Sequence, residues 1–300
     1  MPLDLRARQL LVEESLRRQL DAEKDCPSTL AEAMGYSLLA PGKRMRPILV
    51  MLSAQACGGE EHQALPAACA IEMVHTYSLI HDDLPAMDDD DLRRGLPTCH
   101  KKFGEATAIL AGDALLTLAF QVLASSYPPA TACGCSLELA RGAGACGMVA
   151  GQALDLAWEA GATSALPRNL ESLERIHAQK TGALFRACLR MGTWVAQGER
   201  PGGPDRGTLE AVDSFGRCLG MIFQITDDLL DVEGTEEQTG KRVGKDAVRG
   251  KLTYPGLLGV AESRQRARDF HERARAALAP LQGRGDGLIA IVERLLERSS

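Results

Sequence analysis

Apolar residues recur at the three- and four-residue spacing of amphipathic helices along nearly the whole chain. No run shows the strict alternation that predicts a β-strand. Pairs of proline and glycine, such as Pro41-Gly42 and Gly58-Gly59, interrupt the pattern. The spacing therefore predicts an all-α fold, with helices over 5–20, 28–40, 47–56, 64–81, 103–126, 133–160, 170–196 and 208–232, and two more between 255 and 296 that part near 283–287.

The chain shows no internal repeat and no low-complexity linker. The most loop-like segment runs from Pro201 to Pro204, yet helical segments with acidic motifs lie on both sides of it. We therefore expect a single all-helical domain over residues 1–300, a large helical bundle with its site in a central cavity between helices.

Composition narrows the class of protein. The 300 residues are 45% hydrophobic, which is enough for a buried core, and the net charge of −6 argues against a nucleic-acid surface. We find no apolar stretch of the roughly 18 residues that span a membrane and no signal-peptide core, so we expect a cytoplasmic protein. The nine cysteines lack the paired spacing of a zinc site and are interpreted as incidental thiols.

Two acidic segments carry the chemistry. The first runs from Asp82 to Asp91 and contains six aspartates, and the second runs from Asp227 to Asp231. Carboxylates this close repel one another unless a cation lies among them. Both segments follow strongly apolar sequence, so each is expected to line a cavity. Mg²⁺ prefers such oxygen ligands together with the phosphates of a substrate, so the segments predict two walls of a magnesium site.

The two walls differ in geometry. Asp227 and Asp231 are one helical turn apart, with Asp228 at the edge of the same face, although a solvated acidic helix end would show the same spacing. Asp82 and Asp88 are out of register on a straight helix. Pro85 should end the helix near Asp83 and fold Asp88 back, which leaves the aspartates at 89–91 facing solvent.

Cationic residues accompany both walls. Lys43 and Arg46 open a helix, Arg93-Arg94 follows the first acidic segment, and Lys180-Thr181 lies inside a helix; Lys241, Lys245 and Lys251 follow the second acidic segment. Such residues taken singly are mostly surface residues. Beside metal-type carboxylates they suit a diphosphate, because arginine makes planar bidentate contacts and lysine provides a point charge. His75 lies seven residues before Asp82, on nearly the same helical face.

These segments resemble the motifs of the trans-prenyl diphosphate synthases, and most closely the bacterial short-chain group. The stretch from Tyr77 to Gly95 resembles that family's first aspartate-rich motif, and the stretch from Gln224 to Asp231 resembles the second. The segments 42–47, 180–181 and 240–242 resemble the other signatures, in the expected order between about residues 30 and 260.

The resemblance implies an all-α homodimer that uses three Mg²⁺ ions, for which Mn²⁺ can substitute. It implies metal binding by Asp82, Asp83, Asp88, Asp227, Asp228 and Asp231. It places Arg93, Lys180, Thr181, Gln224 and Lys241 at or around the allylic diphosphate. It places Lys251 at one of the two diphosphates. It places Lys43, Arg46, His75 and Arg94 at isopentenyl diphosphate. Of these residues, Asp82, Asp83, Asp88, Arg93, Lys180, Asp227 and Lys241 form the expected catalytic set.

The implied reaction joins isopentenyl diphosphate to dimethylallyl and then geranyl diphosphate, giving farnesyl diphosphate. Neutralising the leaving diphosphate lets an allylic carbocation form, the double bond of isopentenyl diphosphate attacks it, and a proton is lost. Exclusion of water protects the cation.

Product length is expected to depend on Tyr77 and Ser78. Tyr77 precedes Asp82 by five residues, about 7.5 Å along a helix, which is close to one isoprene unit. The resemblance implies that a bulky ring at this position stops the growing tail at the farnesyl length. An ordinary core tyrosine is the alternative for this residue.

Other functions stay open. A geranylgeranyl diphosphate synthase is the runner-up, and a non-catalytic subunit of a heteromeric synthase is the alternative from another class. A terpene cyclase would not need the second substrate pocket around Lys43 and Arg46. A simple Mg²⁺- or phosphate-binding module would not need so long an apolar cavity.

Overall fold

The computed structural model describes residues 4–159, 167–233 and 252–297, and these residues are nearly all helical. The first half contains α1 (Leu5–Ala22), α2 (Ser28–Leu38), α3 (Met45–Ala56), α4 (Leu65–Asp82), α5 (Cys99–Phe103), α6 (Glu105–Ser126) and α7 (Pro129–Ala143). The second half contains α8 (Met148–Glu159), α9 (Leu170–His177), α10 (Ala183–Gln197), α11 (Arg206–Glu233), α12 (Tyr254–Leu258), α13 (Val260–Ala277) and α14 (Asp286–Glu297).

Shorter elements complete the described chain. A π-helical segment, Ala178–Gly182, joins α9 to α10 without a break, and short 3₁₀ turns precede α4 and α14. Two strands of two residues each, β1 (Leu92–Arg93) and β2 (Leu96–Pro97), form an antiparallel hairpin.

The predicted all-α fold is confirmed, and most helix ends agree within a few residues. Two predicted helices are divided, in each case at glycine. The first of the two helices predicted between 255 and 296 is divided into α12 and α13 by Gly259, whose φ of 78° disfavours any residue with a Cβ. The predicted helix 133–160 is two helices, because the chain turns tightly at Gly147, where a Cβ would lie 2.2 Å from the carbonyl oxygen of Gly142.

Helix α4 lies at the centre of the packing. It contacts α6 along its length and also contacts α3, α10 and α1. Its side chains are buried on nearly every side, from Ala67 to Ile80, as expected for a helix that is apolar all round. The C-terminal end of this core helix carries Asp82, so the first acidic segment begins where the core ends.

One helix is long and apolar enough to span a membrane, so the expectation that no such stretch exists was wrong. Helix α6 has 22 residues and meets the length and composition of a span, and 44% of its apolar window is buried. Core helices of soluble proteins have the same properties, and α6 packs against α4, α2 and α7. Asp113 lies near the middle of this helix and alanine is frequent along it, so the sequence shows no uninterrupted run of large apolar residues.

Candidate active site

The first acidic segment forms a compact turn at the end of α4. The helix ends at Asp82, because Pro85 has no N–H with which to continue the helical hydrogen bonds. The backbone N–H of Asp88 donates to the carbonyl oxygen of Asp82 at 2.8 Å. The predicted folding back of Asp88 is therefore confirmed. Asp89 and Asp91 are exposed, as predicted, and Asp90 is half-buried.

Asp83 is buried and paired with Arg93. The guanidinium donates from Nε and Nη2 to both carboxylate oxygens of Asp83, at 2.6 to 2.9 Å. This bidentate pair joins the end of α4 to strand β1. Asp83, which was predicted to support the metal, and Arg93, which was predicted at the allylic diphosphate, are thus in contact with each other.

The hairpin that carries Arg93 turns through Arg94 and Gly95. Both residues have positive φ, 54° and 78°, and the pairing of Arg93 with Leu96 leaves only these two residues in the turn, as in a type I′ hairpin. Glycine adopts this conformation readily, whereas Arg94 is strained. Its side chain reaches back to the loop before α3, where Nη1 donates to the carbonyl oxygen of Pro41 at 2.7 Å.

Asp82 lies in an environment that suits a bound cation. The pKa of its carboxyl is raised to about 6, chiefly by burial and also by the charges of Asp88 and Asp83, while Lys180 and Arg93 act in the opposite direction. A divalent cation at this carboxylate would favour its ionised form and remove that cost. The donor set is made of carboxylate oxygens, which fits Mg²⁺.

Lys180 lies in the π-helical segment, beside two of the helices that form the site. Its Nζ donates to Oδ2 of Asp155 on α8 at 2.6 Å. The two backbones approach closely because α8 has a glycine there: a Cβ on Gly151 would lie 2.1 Å from the backbone nitrogen of Lys180. Single π turns are frequent at functional sites. Thr181, the neighbouring predicted residue, is buried.

The second acidic segment lies near the C-terminal end of α11. Asp227 is exposed, Asp231 is half-buried, and Asp228 is buried, where its Oδ2 accepts from the backbone N–H of Tyr254 at 2.9 Å. The same helix carries Gln224, which is half-buried. Within the ranges 4–159, 167–233 and 252–297, no three acidic, histidine or cysteine side chains converge as a complete metal site.

The basic segment before α3 contains both buried and exposed side chains. Arg44 is buried and pairs with Glu72, at 2.8 Å, while Lys43 is exposed. Arg46 lies 3.2 Å from Nε2 of His75 and has its guanidinium carbon 4.9 Å from the ring centre of Phe185. The structure thus brings together Arg46 and His75, which were both predicted at isopentenyl diphosphate.

Positive charge is concentrated around His75. The pKa of His75 lies well below its ordinary value because the ring is buried, and the arginines at positions 46, 94, 93 and 44 lower it further. Since guanidinium groups have no acceptor, the neutral His75 accepts a hydrogen bond from Arg46. Such a surplus of arginine favours the binding of a diphosphate.

Tyr77 is buried on α4, one turn before His81. The two rings meet edge to face, with centres 5.7 Å apart, and the charge of Asp82 acts on the Tyr77 hydroxyl, whose pKa is raised by burial and then by that charge. His81 lies against α6, where a Cβ on Gly112 would be 2.1 Å from its Nε2. Ser78 is half-buried and donates to the carbonyl oxygen of His75.

Three residues of α8 were missed in the sequence. Asp155 is the partner of Lys180, and Gly151 lets the two backbones approach. Gln152 has both polar side-chain atoms buried and, within the described part of the chain, without a hydrogen-bond partner. The signal was the pattern Gly-Gln-x-x-Asp on one helical face, which by itself carries little information. Two predicted ligands, Lys241 and Lys251, lie outside the described residues, as does Lys245.

Comparison with known proteins identifies the family of the chain. The family model described as polyprenyl synthetase matches residues 27–279, and the chain belongs to that family of prenyltransferases. The chain is 44% identical over 291 residues to a farnesyl diphosphate synthase of Geobacillus stearothermophilus, covering 96% of this chain and 94% of that protein.

A second relative is named for a different product. The chain is 47% identical over 260 residues to the large subunit 1 of a chloroplastic heterodimeric geranylgeranyl pyrophosphate synthase of Arabidopsis thaliana, covering 84% of this chain and 67% of the relative. Among solved structures, the apo form of an FPP/GFPP synthase from Zymomonas mobilis superimposes with a TM-score of 0.83 at 35% identity, covering 99% of this chain and all of that one. The family is thereby settled, and both product classes are represented at similar identity.

Proposed function

We propose that this prenyl diphosphate synthase condenses isopentenyl diphosphate with dimethylallyl and geranyl diphosphate and releases farnesyl diphosphate. The observation that carries the product length is the buried ring of Tyr77, five residues before Asp82 on the same helix. The two residues are about 7.5 Å apart along the helix axis, which is close to the length of one isoprene unit. A tail that grows along α4, away from a diphosphate at Asp82, would therefore meet the Tyr77 ring.

The allylic diphosphate is assigned to the space between the two acidic segments. Asp82, Asp83 and Asp88 on one side and Asp227, Asp228 and Asp231 on the other would hold up to three Mg²⁺ ions through carboxylate oxygens. Bound Mg²⁺ supplies Lewis-acid stabilisation of the departing diphosphate. The raised pKa of Asp82 supports this assignment, because a cation relieves the cost that burial places on its ionised carboxylate.

The cationic residues of the chain complete the neutralisation of the leaving group. Lys180 and Arg93 both lie close enough to Asp82 to lower its pKa. Thr181 and Gln224 are assigned to the same diphosphate, and so are Lys241 and Lys251, which follow the second acidic segment. Because Lys180 and Arg93 are held by Asp155 and Asp83, their charges are positioned before substrate arrives.

Isopentenyl diphosphate is assigned to the arginine-rich region formed by Lys43, Arg46, His75 and Arg94. His75 is neutral there and orients Arg46. This region carries more positive than negative charge. It therefore suits the diphosphate of isopentenyl diphosphate, which stays bonded to its carbon chain throughout the reaction. The apolar helices between the two regions exclude water from the carbocation.

We also propose that the enzyme is a single helical domain and works as a homodimer in the cytoplasm. One hydrophobic cluster joins residues from α1 to α14, which supports one domain. Ile109 and Leu110 are exposed on the apolar helix α6, which suits a face covered by a second copy. All nine cysteines are free thiols, as expected in a reducing compartment.

Two other functions are weighed against this one. A geranylgeranyl product is favoured by the identity to several geranylgeranyl pyrophosphate synthases, which is similar to the identity to the farnesyl diphosphate synthases. A non-catalytic subunit is disfavoured because both acidic segments keep their aspartates. Incubation of the purified chain with dimethylallyl diphosphate, labelled isopentenyl diphosphate and Mg²⁺, followed by chromatography of the products, tests all three. Farnesyl diphosphate supports the proposal, a longer product supports the runner-up, and no consumption by the chain alone supports the subunit.

A further inference from the structure

The loop before α3 has three consecutive carbonyl groups, each bound by a different side chain. The carbonyl oxygen of Ala40 accepts from Nη2 of Arg44 at 2.6 Å. That of Pro41 accepts from Nη1 of Arg94 at 2.7 Å. That of Gly42 accepts from Nε2 of Gln9, on α1, at 2.8 Å. The loop is therefore fixed from three directions just before Lys43.

The contact from α1 is part of a connected network. Gln9 also donates to Glu13 one turn further along α1, at 3.1 Å. Glu13 in turn lies 3.6 Å from Nε of Arg44, whose guanidinium is buried against Glu72 on α4. The N-terminal helix, which carries no recognisable motif, is thereby tied to the segment that presents Lys43.

Gly42 provides the space in which the Arg94 guanidinium lies. A Cβ on Gly42 would be 2.4 Å from Nη1 and 2.9 Å from Cζ of Arg94. No carbon approaches a guanidinium that closely, so any side chain at position 42 displaces Arg94. The Arg94 backbone has a strained φ of 54° in the hairpin turn, and its side chain reaches the carbonyl oxygen of Pro41 in the loop.

We infer that Gln9 and Gly42 are positioning residues for the isopentenyl diphosphate site. Gln9 fixes the loop that presents Lys43, and Gly42 leaves room for the Arg94 guanidinium between the loop and the hairpin. The inference rests on the proposed assignment of Lys43 and Arg94 to that substrate. Neither Gln9 nor Gly42 touches the substrate, and both act through the placement of the two cationic groups.

The experiment compares Gln9→Ala and Gly42→Ala with two matched controls. Gln19→Ala removes a glutamine from the same helix. Gly35→Ala adds a Cβ on α2 that would meet its nearest neighbour, Leu20, at an ordinary 3.7 Å. Isothermal titration with isopentenyl diphosphate alone measures the Kd, and steady-state kinetics measure the KM for each of the two substrates.

We expect Gln9→Ala and Gly42→Ala to raise the Kd and KM for isopentenyl diphosphate about tenfold, consistent with loss of a charge-assisted contact. The KM for the allylic substrate should stay within about twofold, because that diphosphate lies at the other region. The controls should leave both constants unchanged. A general loss of structure would instead raise both KM values together and would overturn the inference.

A double variant provides the sharper measurement. If the space at Gly42 serves Arg94 alone, Gly42→Ala should have no further effect on the Kd in an Arg94→Ala background. Full additivity of the two changes would overturn the role of Gly42. If the wild-type chain binds no isopentenyl diphosphate, the proposed function fails at this site and the inference fails with it. If the wild type binds and the variants bind equally well, only the inference fails.

Discussion

The carboxylate of Asp83 accepts hydrogen bonds from both Nε and Nη2 of Arg93, while no guanidinium in the described part of the chain makes such a contact with the adjacent Asp82. Burial raises the pKa of both groups, and the bidentate contact opposes that rise at Asp83. Two neighbouring aspartates are thus placed in different states before any metal binds. Asp83 secures the hairpin, and burial disfavours the charged form of Asp82 despite the nearby charges of Lys180 and Arg93.

The first prediction concerns that pair. Arg93→Gln should lower the free energy of unfolding by about 2–4 kcal/mol near neutral pH, because it leaves the Asp83 carboxylate buried without its partner. The double variant Asp83→Asn/Arg93→Gln should recover part of that loss. Urea unfolding of the wild type, the two single variants Arg93→Gln and Asp83→Asn, and the double variant measures the coupling energy of the pair. A coupling of zero would mean that the pair does not stabilise the hairpin.

The second prediction concerns Asp82. Its pKa is about 6 in the folded protein and lower in the unfolded chain, so its ionisation opposes folding once the pH exceeds the unfolded value. Asp82→Asn should therefore raise the free energy of unfolding by about 1–3 kcal/mol near pH 8 without Mg²⁺, and by less near pH 4. The same variant should lose turnover by orders of magnitude.

Unfolding in urea with a chelator, beside product assays, checks both parts of the Asp82 prediction. Asp91→Asn is the control, since Asp91 is exposed in the same segment. A destabilised Asp82→Asn protein would contradict the electrostatic argument. Near-normal turnover in both Asp82→Asn and Asp227→Ala would contradict the site assignment.

The third prediction concerns pH. The pKa of His75 is lower in the folded protein than in the unfolded chain, so below about pH 6.5 the unfolded chain binds the extra proton and stability falls as the pH falls. His75→Gln should weaken this acid dependence, since glutamine can accept the hydrogen bond from Arg46 without titrating. Urea midpoints at several pH values between about 5 and 8 measure the difference. His62→Gln, at an exposed histidine, should retain the wild-type dependence.

The fourth prediction concerns product length. Tyr77→Ala should give products longer than those of the wild type, because the ring no longer blocks the tail. His81→Ala should also lengthen them, since the edge of its ring supports Tyr77. Chromatography of dephosphorylated products measures the shift, and Phe270→Ala, at a buried ring on α13, is the control. An active Tyr77→Ala enzyme with an unchanged product would exclude Tyr77 as the floor.

The sequence predicted those structural features that are determined by residues close to one another along the chain. Pro85 ends α4 locally, so the return of Asp88 follows from the sequence alone. Helical spacing predicts the all-α fold, because burial of one face dictates the pattern. The hairpin was missed since strands of two residues are too short to show alternation.

Side-chain contacts between segments that are distant along the chain could not be predicted from the sequence. The contact of Lys180 with Asp155 depends on how α8 lies against the π-helical segment, and that packing requires Gly151. In the same way, no local pattern indicates that Gly42 accommodates Arg94 from a hairpin some fifty residues later. Such contacts are fixed by the tertiary arrangement of helices, which spacing within one helix does not encode.

Helix α4 carries Asp82 at its end and Tyr77 within one and a half turns of it. Under the proposed function, the group that activates the substrate and the group that limits its growth therefore belong to one rigid body. Their separation is set by helical rise and is unaffected by shifts between helices. A single substitution on this helix can then alter the product and leave the chemistry intact. This gives a short evolutionary route between relatives that each share nearly half their aligned sequence with this chain yet bear the names of different products.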